Sequence, residues 1–226
     1  MKIVVLGLGK TGSLVAEAAR QRGHEVEGLD IDENAHGSGL TAARLADAAV
    51  VIDFTTPDAV LENIEGCARA GKNLVVGTTG WYKQIPHIKH LVEETGIGFL
   101  FASNFSVGVN LFFDIARMAA TAMQHQYSGQ ILERHHIHKK DAPSGTAVTL
   151  QNIVRDASGS ELEITSFREG EVVGLHELVF NSAADRIYLC HDAKSRLGFA
   201  EGAVRAAEWL VGRKGFFDFK DVWREL

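Results

Sequence analysis

The 226-residue chain has only two cysteines, Cys67 and Cys190, and no CxxC spacing. That scarcity argues against a disulfide framework or a structural zinc site, and it predicts two reduced, mostly buried thiols. Long apolar runs are also missing. The first, Ile3 to Leu6, is far too short for a signal peptide, and none reaches the roughly 18 residues a spanning helix needs. Positive charge is in deficit: 23 Lys and Arg against 29 Asp and Glu leave a net charge of −6. A broad nucleic-acid-binding face is therefore not expected. There is no internal repeat and no low-complexity linker. These absences predict a cytoplasmic protein with neither a membrane nor a nucleic-acid partner.

What is present begins at the N-terminus. Lys2 to Leu6 reads as a buried parallel strand, and Gly7-Leu8-Gly9-Lys10-Thr11-Gly12 is a complete GxGxxG. Leu14, Val15, Ala18 and Ala19 follow at helical spacing, Gly23 closes the helix, and Glu25 to Leu29 reads as a second strand. An acid, Asp30, stands eighteen positions after Gly12. A lone GxGxxG says little, but between strand and helix with a trailing acid it has the context of a dinucleotide fingerprint. The first two glycines would let backbone N–H groups approach a pyrophosphate at the helix N-terminus. Gly12 would let helix and strand pack closely, and Asp30 would accept bonds from the ribose hydroxyls. Asp30 disfavours a 2′-phosphate and Ile31 supplies no arginine to bind one, although Lys10 could partly compensate. NADH should be used at least as well as NADPH.

Strands are further expected at Ala49–Phe54, Asn73–Val76 and Phe99–Ala102. A helix is expected from Pro57, capped by Thr56, to Ala70, and another over Ile85–Glu94. This alternation predicts a Rossmann-type, doubly wound parallel sheet. After Asn104 the pattern changes. Helices are expected over Val107–Met123, Ala147–Arg155 and Phe199–Val211, with strands over Gln130–His138, 161–168, 171–180 and 184–192. The predicted fold is thus α/β: a dinucleotide-binding domain of residues 1–105 and 196–226. Into it is inserted an α+β substrate-binding and oligomerisation domain, 106–195, with a mixed sheet.

That inserted segment carries ERHHIHKKDAPSGTA, residues 133 to 147, which concentrates positive charge in an acidic chain. On a strand, His136 and His138 would share a side, so a metal is geometrically possible. The surrounding lysines and arginine disfavour one, and no metal is expected. A solvated basic face is the plainer alternative. It leaves unexplained the Pro-Ser-Gly-Thr turn at the start of the next helix, whose free N–H groups suit an anion. Cations beside a helix N-terminus make a pocket for carboxylates or phosphates, with proton donors near neutral pH.

The stretch E-x-H-H-x-x-K-x-D-A-P-S-G-T, Glu133 to Thr146, resembles the signature of the 4-hydroxy-tetrahydrodipicolinate (dihydrodipicolinate) reductase family. IDFTTPDA (52–59), VVGTTGW (75–81), FASNFSVGVN (101–110), EVVGLHELVF (171–180) and SRLGFAEGAVRAAEWL (195–210) extend the resemblance along essentially the whole chain. It implies NAD(P)H-dependent reduction of a cyclic dicarboxylate in lysine and diaminopimelate biosynthesis. It implies His135 as proton donor with Lys139 as partner, and His136, Lys139, Ser144, Gly145 and Thr146 around the substrate carboxylates. Gly7, Gly9, Lys10, Thr11, Gly12, Asp30, Gly77, Thr78, Thr79, Ala102, Asn104, Phe105 and Arg196 would serve the nucleotide, NADH or NADPH, with Arg196 at the hinge between domains. A homotetramer is implied as well. The chain departs from the family pattern in its tight GLGKTG loop and in a shortened segment over Ser158–Arg168. Two other readings share the N-terminal fingerprint: an aspartate- or homoserine-dehydrogenase-like enzyme, and a non-catalytic nucleotide sensor.

Overall fold

The computed structural model describes residues 1–226, and they separate into two compact units, 1–107 with 197–226, and 108–196. In chain order the first unit contributes β1 (Lys2–Leu6), α1 (Lys10–Gln21), β2 (Glu25–Leu29), α2 (Ile31–Asn34), α3 (Ala42–Leu45), β3 (Ala48–Asp53), α4 (Val60–Arg69), β4 (Leu74–Val76), α5 (Ile85–Thr95) and β5 (Gly98–Phe101). The helix α6 (Val107–Ala119) leads into β6 (Ser128–His135), α7 (Gly145–Ser158), β7 (Ile164–Arg168), β8 (Leu175–Asn181) and β9 (Arg186–Asp192). The first unit then closes with α8 (Leu197–Leu210), β10 (Gly215–Asp218) and α9 (Phe219–Val222).

The first unit is a six-stranded sheet ordered β10-β5-β4-β3-β1-β2, every pairing parallel. Its inner strands β1, β3, β4 and β5 are near-continuous apolar runs because both faces are covered. On one side Ile3, Val5, Val50 and Ile52 pack with α1, α8 and α9; on the other Val4, Leu6, Val51 and Leu74 pack with α4 and α5. The strand order reverses between β1 and β3, and in open parallel sheets that switch point, at the carboxyl ends, is where ligands bind.

The second unit is a mixed sheet ordered β7-β6-β8-β9, with β6 and β7 parallel and the other pairs antiparallel. Helices α6 and α7 cover one face, burying Phe112, Phe113, Leu150 and Val154 against Ile131, Leu178 and Phe180. Along β9 exposure alternates strictly, as expected where one face of a strand packs and the other does not.

Several expectations need correction. Helix α4 starts at Val60 with Ala59 as its N-cap, so Thr56 is no cap and Pro57 lies in the turn before the helix. The strand expected to reach His138 stops at His135, which puts His136 and His138 in a turn, off the strand. Helix α6 ends at Ala119 and continues to His125 as 3-10 turns. Cys67 is buried but Cys190 is exposed. The edge strand β10 was not anticipated.

Candidate active site

The nucleotide side begins with three glycines that differ in their reasons. Gly7 has a φ of 80°, and a Cβ there would lie 2.5 Å from the Phe54 carbonyl oxygen. At Gly12 a Cβ would come within 1.8 Å of the Gly7 carbonyl oxygen, so helix and strand could not pack. A Cβ on Gly9 would meet nothing within 4 Å. The fold itself does not require glycine at that position, which suits a group approaching from outside. Gly9 is also the N-cap of α1 and caps no N–H with a side chain, while the first turn carries no acid. A pyrophosphate fits such a helix start.

Two clefts flank this turn. The smaller, about 330 Å³, is lined by Gly9, Lys10, Thr11, Phe54, Thr55, Pro57, Gly77, Thr78 and Thr79. The larger, about 560 Å³, runs past Gly7, Asp30, Ile31, Ala35, Thr56 and Ala59. Asp30 accepts from Leu8 N at 3.3 Å and caps α2, which fixes its carboxylate at the cleft edge. Ile31 is 76% exposed there, an uncovered apolar surface suited to a planar base. Asp58 and Glu62 also line this cleft, and no lysine or arginine does.

Thr78 is assigned to the nucleotide, but its hydroxyl donates inward to Asp53 Oδ1 at 2.5 Å. Asp53, fully buried at the end of β3, also accepts from Thr55 N at 3.0 Å, Thr55 Oγ1 at 2.9 Å and Asn63 Nδ2 at 2.8 Å. Asn63 in turn accepts from Asn34, which accepts from Gly39 N. Burial pushes the Asp53 carboxyl above its ordinary value, and these donors pull the other way. This network ties together the loops lining both clefts. Its signal was present in IDFTTP, but nothing in that stretch shows where an acid at a strand end will point. Ala102 and Phe105 are buried in the core, so they can offer a ligand only main chain.

In the second unit, strand register builds the chemistry. Glu133 on β6 pairs directly with His176 on β8, and His135 pairs with Arg168 on β7. Glu133 and His135, two apart, face the same side and are both buried. Arg168 Nη2 lies 3.0 Å from Glu133 Oε1, which also accepts from Ser144 N at 3.1 Å. Glu133 Oε2 is 3.1 Å from His135 Nδ1 and 3.8 Å from His176 Nε2. The first of these contacts is close but not aligned as a hydrogen bond, so both atoms lack a formal partner. Burial pushes the Glu133 carboxyl up, but bonds from Ser144, Ser166 and Arg168 outweigh it and hold the group at about 2. Burial lowers His135 below its ordinary value, with Glu133 opposing and Lys139 and Arg168 reinforcing. Burial likewise takes His176 down to about 4.

Ser144 is the N-cap of α7, accepting from Ala147 N, and its hydroxyl meets His176 Nε2 at 3.1 Å. A Cβ on Gly145 would meet nothing within 4 Å, which leaves the helix start open to a carboxylate. Lys139 Nζ sits between both oxygens of Asp141, at 2.8 and 2.9 Å. Arg196, assigned above to the nucleotide, lines neither cleft. Its Nη2 donates to His136 Nε2 at 3.3 Å. The His138 ring lies tilted toward that of His136, with centroids 6.2 Å apart. Glu133, His135 and His176 offer ligand atoms within 4.8 Å of one another, a spacing a metal ion could use. Arg168 already balances that carboxylate. Sequence reasoning missed Glu133, Arg168, His176 and Asp53 as members of the site.

A parallel-sheet unit with a dinucleotide fingerprint, and a second unit gathering histidine, lysine and arginine at a helix start, define an NAD(P)-dependent oxidoreductase of a small anionic substrate. Family models for the N-terminus and C-terminus of dihydrodipicolinate reductase match residues 1–105 and 108–223. A 4-hydroxy-tetrahydrodipicolinate reductase of Christiangramia forsetii is 37% identical, covering 100% of this chain and 99% of that protein. One from Pseudomonas fluorescens is also 37% identical, covering 98% of each, and its 265-position alignment opens gaps in this shorter chain. Dipicolinate-bound dihydrodipicolinate reductase from Paenisporosarcina sp. TG-14 has the same fold, with a TM-score of 0.79 at 22% identity over 98% of this chain and 99% of that one. Aspartate dehydrogenase from Thermotoga maritima superposes at a TM-score of only 0.52 and 12% identity, over 94% of this chain and 97% of that one. The chain belongs to the dihydrodipicolinate reductase family, whose reaction is the pyridine-nucleotide-dependent reduction that forms tetrahydrodipicolinate in lysine and diaminopimelate biosynthesis.

Proposed function

We propose that His135 is the proton donor of this reduction and that Lys139, His136, Arg196 and the α7 N-terminus hold the two carboxylates of its substrate. The observation that carries this is the buried Glu133–His135 contact at 3.1 Å beside an open helix start. The bound nicotinamide nucleotide supplies the hydride. Arg196 and Lys139 offset negative charge as it develops on the ring, His136 accepts from Arg196 through Nε2 and steadies it, and the N–H groups of Gly145 and Thr146 orient one carboxylate. His135, once protonated, gives its proton to the reduced ring and returns to the neutral form that its burial favours. Lys139 stands by as the second acid.

On the nucleotide side, Gly7, Gly9 and Gly12 shape the turn, with Lys10 and Thr11 beside the phosphates. Gly77 and Thr79 face the smaller cleft. Ala102, Asn104 and Phe105 would meet the nucleotide through their main chain. Asp30 at the cleft edge favours NADH at least as well as NADPH. We place residues 1–105 with 196–226 as the nucleotide-binding domain and 106–195 as the substrate-binding and oligomerisation domain of a cytoplasmic homotetramer. No helix is long and apolar enough to cross a membrane.

The test is to mix the protein with NADH and the condensation product of pyruvate and aspartate semialdehyde and follow the absorbance. Loss of NADH that is slowed strongly by Lys139→Met supports the reading. NADH oxidation only with a different amino or hydroxy acid contradicts it, as does NADH binding without turnover.

A further inference from the structure

We propose that Gly174 is a positioning residue: its missing side chain keeps Nε2 of His135 open as the donating nitrogen, while Glu133 holds Nδ1 inward. This rests on the reading of His135 as the proton donor and adds which of its two nitrogens is used and what leaves that nitrogen free.

The two ring nitrogens face different surroundings. Nδ1 is completely buried and lies 3.1 Å from Glu133 Oε2. That carboxylate is pinned through its other oxygen by Ser144 N and Arg168 Nη2, so it cannot turn away from the ring. An ionised carboxylate only accepts, and although the 3.1 Å contact is not aligned as a hydrogen bond, its negative charge favours a neutral His135 with the hydrogen on Nδ1 and the lone pair on Nε2. The 8% of the side chain that remains accessible cannot be at Nδ1.

On the far side of the ring stands Gly174, one residue before β8. A Cβ built there would lie 3.1 Å from His135 Nε2, 3.4 Å from Cδ2 and 3.8 Å from His176 Cε1. The glycine is not needed for its backbone. Its φ lies outside the left-handed range, and its carbonyl accepts an ordinary 2.9 Å bond from Ala193 N. What the position requires is the empty space beside Nε2. The ring cannot move out of the way easily, since His176 packs edge-on at 5.1 Å and Glu133 holds the opposite side. The charged and titratable groups facing His135 are Glu133 from β6, Arg168 from β7, His176 from β8, and Lys139 and Asp141 from the loop between β6 and α7.

Two measurements test this. In ¹⁵N-histidine spectra of the wild-type protein, taken above the titration of His135, the neutral ring should be the Nδ1–H form, and Glu133→Gln should lose that preference. Gly174→Ala should lower kcat about tenfold or more, with the KM for NADH unchanged. A wild-type ring that is Nε2–H overturns the proposal, as does a Gly174→Ala enzyme within twofold of wild-type kcat. If Gly174→Ala does not fold, the wild-type tautomer alone decides. Failure of the donor reading is separable: His135→Gln would then keep its turnover whatever tautomer the spectra show.

Discussion

Thr78 donates its hydroxyl hydrogen to Asp53 at 2.5 Å and accepts from Thr55 N at 2.8 Å, so one side chain joins the ends of β3 and β4. Its contribution to the nucleotide site is therefore indirect. Asp53→Asn exchanges a charge-assisted acceptor for a neutral amide, and Thr78→Val removes its donor. A buried bond to a charged group is worth roughly 1.5–3 kcal/mol. Each change should raise the KM for NADH about tenfold or more, with a smaller effect on kcat. Fluorescence titration with NADH checks this, and a lower melting temperature with unchanged NADH affinity would contradict it.

Coenzyme choice follows from the acid at the end of β2. Asp30 lines the larger cleft with Asp58 and Glu62, and no lysine or arginine lines it to receive a 2′-phosphate. The kcat/KM for NADH should at least equal that for NADPH, and Asp30→Ala should improve NADPH relative to NADH about tenfold. A wild-type preference of about tenfold or more for NADPH would overturn this account.

Much of the first unit was legible because its inner strands are near-continuous apolar runs and its longer helices carry an apolar stripe. In β1 the run Ile3, Val4, Val5 and Leu6 is fully buried on both faces, and a run of that length between a terminus and a glycine turn reads as a strand. The edge strand β10 escaped because Gly215–Asp218 is four half-buried residues whose only partner, β5, lies more than a hundred positions earlier. The end of β6 escaped because nothing in ERHHIHKK marks where pairing stops. His136 and His138 therefore do not share a strand face, although they remain neighbours. The motif pointed to His135, and strand alternation puts Glu133 on the same face, but Arg168, His176 and Gly174 meet it only through the register of three strands.

Lys139 Nζ is held between both carboxylate oxygens of Asp141. Burial raises the Asp141 carboxyl, and the bond and charge of Lys139 more than reverse this, leaving it below its ordinary value. Lys139→Met should raise the KM for the dicarboxylate about tenfold or more, with the KM for NADH unchanged, since an ion pair to a carboxylate is lost. Steady-state kinetics with each substrate varied in turn checks the split.

The buried histidine sets an acid limit on stability. His176 falls to about 4 in the folded protein from an ordinary 6.5. The unfolded chain therefore binds the proton more readily, and stability is present above pH 6.5 and lost as pH falls toward 4. Melting temperatures should drop across that window, and His176→Asn should flatten the drop there. An equal slope in both proteins would show that other groups carry it.

The most direct test of the central claim is the turnover of His135→Gln with NADH and the pyruvate–aspartate-semialdehyde product. Loss of a general acid should lower kcat by about 10²–10⁴-fold, while NADH binding, measured on the same preparation, stays at its wild-type value. A variant that turns over within a few-fold of wild type would contradict the assignment and move the proton to Lys139.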